Sequence, residues 1–229
     1  LWQCKVAYGT EDIALRPAMT RQQAVQALET GIGLVARLKE QGYQLIATGE
    51  MGIGNTTTSS AVAAVLLGQP VEVVTGRGAG LSTGGLHKKI QVIRQAIERH
   101  RPDPEDPVDV LCKVGGYDIA GLAGLCLGGA LYQVPILLDG MISAVAALCA
   151  LRLCPASQCA MVASHVSAEP AGAMLLQALG LKPMITAGMR MGEGTGAMAA
   201  LPLLDMAYDI YHAMSTFDDI HMEGYTHQE

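Results

Sequence analysis

Aromatic side chains are scarce: one Trp, one Phe and seven Tyr make up 4% of 229 residues. The interior is therefore left to Ala, Val, Leu, Ile, Met and Gly, a mix suited to helices packed closely on a parallel sheet. A surplus of basic charge is missing as well. The net charge is −6 and the Lys and Arg residues are scattered, which argues against nucleic acid as the main partner. No charge-rich or Pro/Ser-rich linker divides the chain, so a single domain over residues 1–229 is expected.

The six cysteines, Cys4, Cys112, Cys126, Cys149, Cys154 and Cys159, contain no C-x-x-C pair. Free thiols in a reducing cytosol fit this pattern better than disulfides or zinc. No clustered metal-ligand motif is seen, and neither a metal nor a cofactor is expected. The 20 residues from Ile119 to Leu138 carry no charge. They are rich in Gly and Ala, include Gln133 and Pro135, and have no flanking basic cluster, so they read as a buried helix and a strand rather than a membrane span. The chain opens LWQCKVAYGTED, with no initiator Met, basic leader or signal-like apolar stretch. It reads as the middle of something longer.

What is present is organised around Gln44 to Gly68, QLIATGEMGIGNTTTSSAVAAVLLG. A short apolar run stops at a loop containing Gly49, Gly52 and Gly54, and a hydroxyl-rich helix follows, giving strand, turn, helix. Such a turn suits an anion, because glycines allow close backbone approach and the N–H groups around Asn55 to Thr58 are free at the helix start. The loop is neither a Walker A sequence nor a dinucleotide fingerprint. Glu50 would repel a phosphate and is better matched to sugar hydroxyls or a developing positive charge.

The rest of the chain repeats this theme. Thr20 and Gln23 have capping-box spacing ahead of a helix with Val25, Leu28, Ile32, Val35 and Leu38 along one stripe, closed by Gly42. The β-branched run Val71 to Thr75 reads as a strand ending in a second glycine loop with Arg77 and Gly78. On the helix from Leu86 to His100, Lys89 falls beside the apolar stripe and Lys88 on the far side, so Lys89 is placed to reach inward. Pro135 to Leu138 reads as a strand ending at Asp139, taken as a cap for the helix that follows. Ala160 to Ala163 ends in Ser164-His165, with His165 holding the turn by hydrogen bonding, and Arg190 is assigned a surface ion pair. A final helix runs from about Ala197 to Met214. Residues 216–229 are expected to be a mobile tail, in which His221, Glu223 and His227 are solvated rather than metal ligands. Strand-like runs ending in TGE, TGR, DG and SH, each followed by a helix, predict an α/β fold. It is a doubly wound, Rossmann-like parallel sheet flanked by helices, with its ligand beyond the strands' carboxyl ends.

Six segments in order, GEMGIGNTT, TGRGAGL, KVGGYDIAGLAG, PILLDG, SHVSAE and MRMGEGTGA, resemble the nicotinate-nucleotide:dimethylbenzimidazole phosphoribosyltransferase family, over nearly the whole chain from Pro17 to about Ser215. The resemblance implies transfer of phosphoribose from nicotinate mononucleotide to 5,6-dimethylbenzimidazole in cobalamin biosynthesis. It implies Glu193 as catalytic base, Glu50 as a second active-site carboxylate, and Gly52, Lys89, Ser167 and Ala168 around the nucleotide phosphate. Gly49, Asn55, Thr56, Arg77, Gly78, Gly192 and Gly194 complete the candidate binding set. The partners expected are these small molecules and a second copy in a homodimer, with no nucleic acid and no membrane. Family members carry a segment ahead of the matched part that helps form the base pocket and the dimer, and this chain begins without it. A non-catalytic nucleotide-binding paralogue or fragment is therefore the competing reading.

Overall fold

The computed structural model describes residues 1–224; His227 of the tail lies outside them. The first helix, α1 (Arg21–Glu40), begins at the capping box seen in the sequence. The Thr20 hydroxyl accepts the Gln23 N–H at 3.2 Å and the Gln23 side-chain oxygen accepts the Thr20 N–H at 2.9 Å. Its buried face is Ala24, Ala27, Leu28, Gly31 and Val35, so the expected stripe is turned and Val25 is exposed. The reason lies in its partner, which is α6 (Tyr117–Tyr132). A Cβ at Gly31 would come 2.1 Å from the Gly121 carbonyl oxygen, and one at Gly124 would come 2.1 Å from the Leu28 carbonyl oxygen. The two helices meet backbone to backbone, and only small residues fit between them.

Between these helices lie β1 (Ile46–Ala47), α2 (Asn55–Leu67), α3 (Val71–Val74), α4 (Thr83–His100) and α5 (Pro107–Val114). The segment read as a second strand is the single helical turn α3. Val71 and Val74 are buried while Glu72 and Val73 are exposed, the i, i+3 spacing of a turn rather than strand alternation. After α6 come β2 (Ile136–Leu138), α7 (Met141–Leu153), a 3-10 turn (Pro155–Ala160), β3 (Met161–Ala163), α8 (Gly172–Leu179) and α9 (Thr195–Ala213). Residues 216–222 of the expected mobile tail form a hydrogen-bonded turn, in which Thr216 and Asp219 bond each other.

The expected parallel sheet flanked by helices is present, with three strands in the order β1-β2-β3. Ile136 of the central strand pairs with Ile46 on one side and Met161 on the other. Successive side chains of β2 face opposite ways. Ile136 and Leu138 join the main core with α2, α5, α6 and α7, whereas Leu137 packs with Ala197 and Ala200 of α9. Helices thus cover both faces. The carboxyl ends of the strands lead to Thr48, Asp139 and Ser164.

Ile119 to Leu138 forms most of α6 and then β2, as expected. Among the described residues no helix is long and apolar enough to cross a membrane. The cysteines are free thiols. Complete burial pushes the thiol pKa of Cys126 and of Cys149 up to about 12, which leaves them unreactive.

Candidate active site

Beyond the sheet's carboxyl edge the loop after β1, the start of α2, the loop before α4, the loop after β3 and the turn before α9 enclose a cavity of about 190 Å³. Glu50, Gly52, Thr56, Gly78, Ser167, Gly192 and Glu193 of the candidate set line it. Gly49 and Asn55 line a second, largely apolar cavity of about 380 Å³ on the other side of Glu50, walled by α1 and α6.

The two glutamates come together because their loops touch through glycines. A Cβ on Gly49 would lie 2.8 Å from the Gly194 nitrogen, and one on Gly192 would lie 3.0 Å from Glu50 Oε1. Glu50 is held by Asn55, whose Nδ2 donates to Glu50 Oε2 at 2.6 Å and to Asp118 Oδ2 at 2.8 Å. With carboxylates on both sides, the amide must present its nitrogen to them. Glu193 is exposed on its turn with φ at +57°, between Gly192 at +80° and Gly194 at +77°.

Lys89 does reach inward and is 6% exposed, although surface lysines are the rule. Its Nζ donates to Thr56 Oγ1 at 2.9 Å and to the Gly76 carbonyl at 3.1 Å. An ammonium has three protons, so one remains for a further acceptor. Burial lowers the Lys89 pKa, and the nearby Glu169 opposes that shift. No side chain caps α2, which starts after Gly54, so its first turn faces the same region as Lys89 and Thr56.

Other expected residues stand differently. Arg77 turns onto its own loop, donating to the Leu81 carbonyl at 2.8 Å and to Thr83 Oγ1 at 3.2 Å, and does not line the cavity. The Ala168 N–H is spent on the Met189 carbonyl at 2.9 Å, so it offers no donor to a phosphate. Arg190 lines the cavity and is absent from the ion pairs formed among the described residues, against the surface pair expected for it. Asp139 caps α9 rather than the following helix α7: Gly194, Gly196 and Ala197 all donate N–H groups to its carboxylate.

Two carboxylates at the site were not singled out in the sequence, Glu169 and Asp118. Glu169, at the end of SHVSAE, has its Oε2 buried without a hydrogen-bond partner, packed where a Cβ on Gly76 would lie 1.8 Å away. Both had visible signals, a motif end for Glu169 and a glycine-rich break for Asp118; the residues they meet, Gly76 and Asn55, come from distant segments that spacing does not reveal. His165, expected to hold its turn, is 4% exposed and also lines the cavity. Ser164 Oγ donates its one proton to the Leu138 carbonyl at 2.5 Å and so accepts from His165 Nδ1 at 3.1 Å. Burial lowers the His165 pKa, and Asp139 opposes that shift.

A family model described as Phosphoribosyltransferase matches residues 2–221. The chain is 49% identical over 221 residues to a nicotinate-nucleotide–dimethylbenzimidazole phosphoribosyltransferase of Ruminiclostridium cellulolyticum, covering 96% of this chain and 63% of the relative. It is 50% identical over 224 residues to the protein of that name from Acetivibrio thermocellus, covering 98% and 64%. The crystal structure of CobT from Thermus thermophilus superposes with a TM-score of 0.90 at 40% identity, covering 97% of this chain and 66% of that one. The chain thus spans a little under two thirds of the length of these relatives. With almost its full length matched, the chain belongs to this phosphoribosyltransferase family.

Proposed function

We propose that this chain carries the donor site and the catalytic carboxylates for phosphoribosyl transfer from nicotinate mononucleotide to 5,6-dimethylbenzimidazole, giving α-ribazole 5′-phosphate and nicotinate. The observation that carries the reading is the close packing of the two glutamate-bearing loops on one cavity that is also lined by Thr56, the hydrogen-bond acceptor of a buried lysine with a proton to spare. Lys89 binds the nucleotide phosphate together with Gly52, Thr56, Ser167 and the open first turn of α2. Gly78 packs against Thr56 and fixes the lysine's partner.

The chemistry asks for little more. The ring nitrogen of the benzimidazole attacks the anomeric carbon as the bond to the pyridinium breaks. The electron pair of that bond neutralises the pyridine, so the leaving group needs no acid. The proton on the acceptor's other nitrogen passes to Glu193. Glu50, steadied by Asn55, faces the positive charge that grows on the ribose. The names of the relatives support this reading. The thiols support a reducing cytosol as its setting, and the apolar side chains exposed along α9 support a homodimer.

The test is nicotinate release from nicotinate mononucleotide by the 229-residue chain, read by chromatography with and without dimethylbenzimidazole. Acceptor-dependent release is expected, and Glu193→Gln should lower it by about 10²- to 10⁴-fold while donor binding persists. Binding of the nucleotide with no release would instead make the chain a nucleotide-binding module.

A further inference from the structure

A base on a flexible turn acts poorly, because a misplacement of about 1 Å can cost some 10²-fold in rate. Gly192, Glu193 and Gly194 all lie in the left-handed region, which a non-glycine residue adopts only when its surroundings impose it. Within the turn itself, only Thr195 ties back, donating from its N–H at 3.0 Å and its hydroxyl at 2.7 Å to the Gly192 carbonyl.

The remaining hold comes from the end of the central strand. Asp139 is 3% exposed. Its Oδ2 accepts the Gly194 N–H at 3.0 Å, and its Oδ1 accepts those of Gly196 at 2.8 Å and Ala197 at 3.2 Å. These are the unpaired donors at the start of α9, where a negative charge is also favoured by the helix dipole. The Asp139 N–H in turn donates to Thr48 Oγ1 at 3.0 Å, and that oxygen lies 2.9 Å from Ser143 Oγ. Thr48 immediately precedes Gly49 and Glu50. The seat admits no slack, since a Cβ on Gly196 would lie 1.9 Å from His165 Nδ1 and 2.9 Å from Asp139 Oδ1.

We infer that Asp139 is a positioning residue. By capping α9 from the end of β2 and bonding Thr48, it fixes the Glu193 turn relative to the Glu50 loop. It is absent from the lining of the loop cavity that holds the two glutamates and acts through Glu193. A carboxylate is required because three donors approach two different oxygens, and an amide would turn a donor of its own toward one of them. The catalytic consequence rests on the function proposed above; the holding of the turn does not.

Two readouts test it on the 229-residue chain. In Asp139→Asn, hydrogen exchange at the Gly194, Gly196 and Ala197 amides should quicken at least about tenfold, with the amides of α6 and α7 unchanged. Asp139→Ser, a smaller capping side chain, gives the same readout if the amide disturbs folding. In turnover, kcat should fall about 10²-fold with the KM for nicotinate mononucleotide nearly constant. In a Glu193→Gln background the same substitution should cost little more. Unchanged exchange at the three amides would overturn the inference, and so would an equal loss of kcat in both backgrounds. A fully active Glu193→Gln chain would sink the role proposed for Glu193, and exchange alone would still decide whether Asp139 holds the turn.

Discussion

Lys89 and His165 show how burial changes the task of a charged or chargeable side chain. Lys89 has two neutral acceptors and no carboxylate within ion-pair distance among the described residues, and the proposed function assigns its remaining proton to the nucleotide phosphate. Lys89→Ala should weaken nicotinate mononucleotide binding about 10- to 100-fold, the worth of a charge-assisted hydrogen bond, and leave nicotinate binding nearly unchanged. Calorimetry with both ligands checks this, and equal losses would refute the assignment. For His165 the folded pKa lies below the ordinary histidine value of 6.5, chiefly through burial. Between that lowered value and 6.5 the unfolded chain binds more protons than the folded one, so stability falls as pH falls through this window. Urea midpoints at about pH 7.5 and about pH 5 should therefore differ less in His165→Gln than in the parent chain; the same difference in both would exclude His165 as a source.

At the scale of elements, much of the fold was legible in the sequence. The capping box of α1, the inward turn of Lys89, the buried helix that begins the Ile119 to Leu138 stretch and the strand before Asp139 all follow from local chemistry. Three readings failed for physical reasons. Four residues are too few to separate a strand from a helical turn, so Val71–Val74 was misread. The stripe on α1 ignored Gly31, whose lack of a side chain is what lets α6 approach. Asp139 was assigned to the nearest helix start, whereas the donors that claim it lie 55 to 58 residues away. Glycine position gives an element-scale prediction. Gly124→Ala, with its methyl 2.1 Å from the Leu28 carbonyl oxygen, should cost about 3 kcal/mol by forcing α1 and α6 apart. Gly33→Ala, on α1 with nothing within 4 Å of its Cβ position, should be neutral or stabilise by up to about 1 kcal/mol. Urea unfolding of both variants checks the contrast.

At the scale of the whole molecule, α9 buries Ala197 and Ala200 against the sheet and leaves its outer face uncovered among the described residues. Met198, Leu203, Met206, Tyr208, Ile210 and Tyr211 of α9 are exposed, an apolar extent unusual for an isolated domain. If the proposed homodimer forms through this helix, Ile210→Lys should shift sedimentation toward the monomer; an unchanged profile would place the contact elsewhere. The sheet, by contrast, is small, and its site is assembled from loops that spacing alone could not bring together. The partners of Asp118 and Asp139 were invisible in the sequence because their bonds cross dozens of residues, 63 between Asn55 and Asp118 and 55 to 58 between Asp139 and its three amides.

That distance in sequence is also a distance in time. The Asp139 carboxylate leaves the ribosome well before the amides of Gly194, Gly196 and Ala197 that satisfy it, a delay of several seconds at about 5–20 residues per second. Until α9 is made, the sheet edge carries a charged group awaiting burial. The turn bearing Glu193 is therefore set only once α9 has emerged, and a nascent chain stopped short of α9 would hold Glu50 and Lys89 without the order that Asp139 gives that turn.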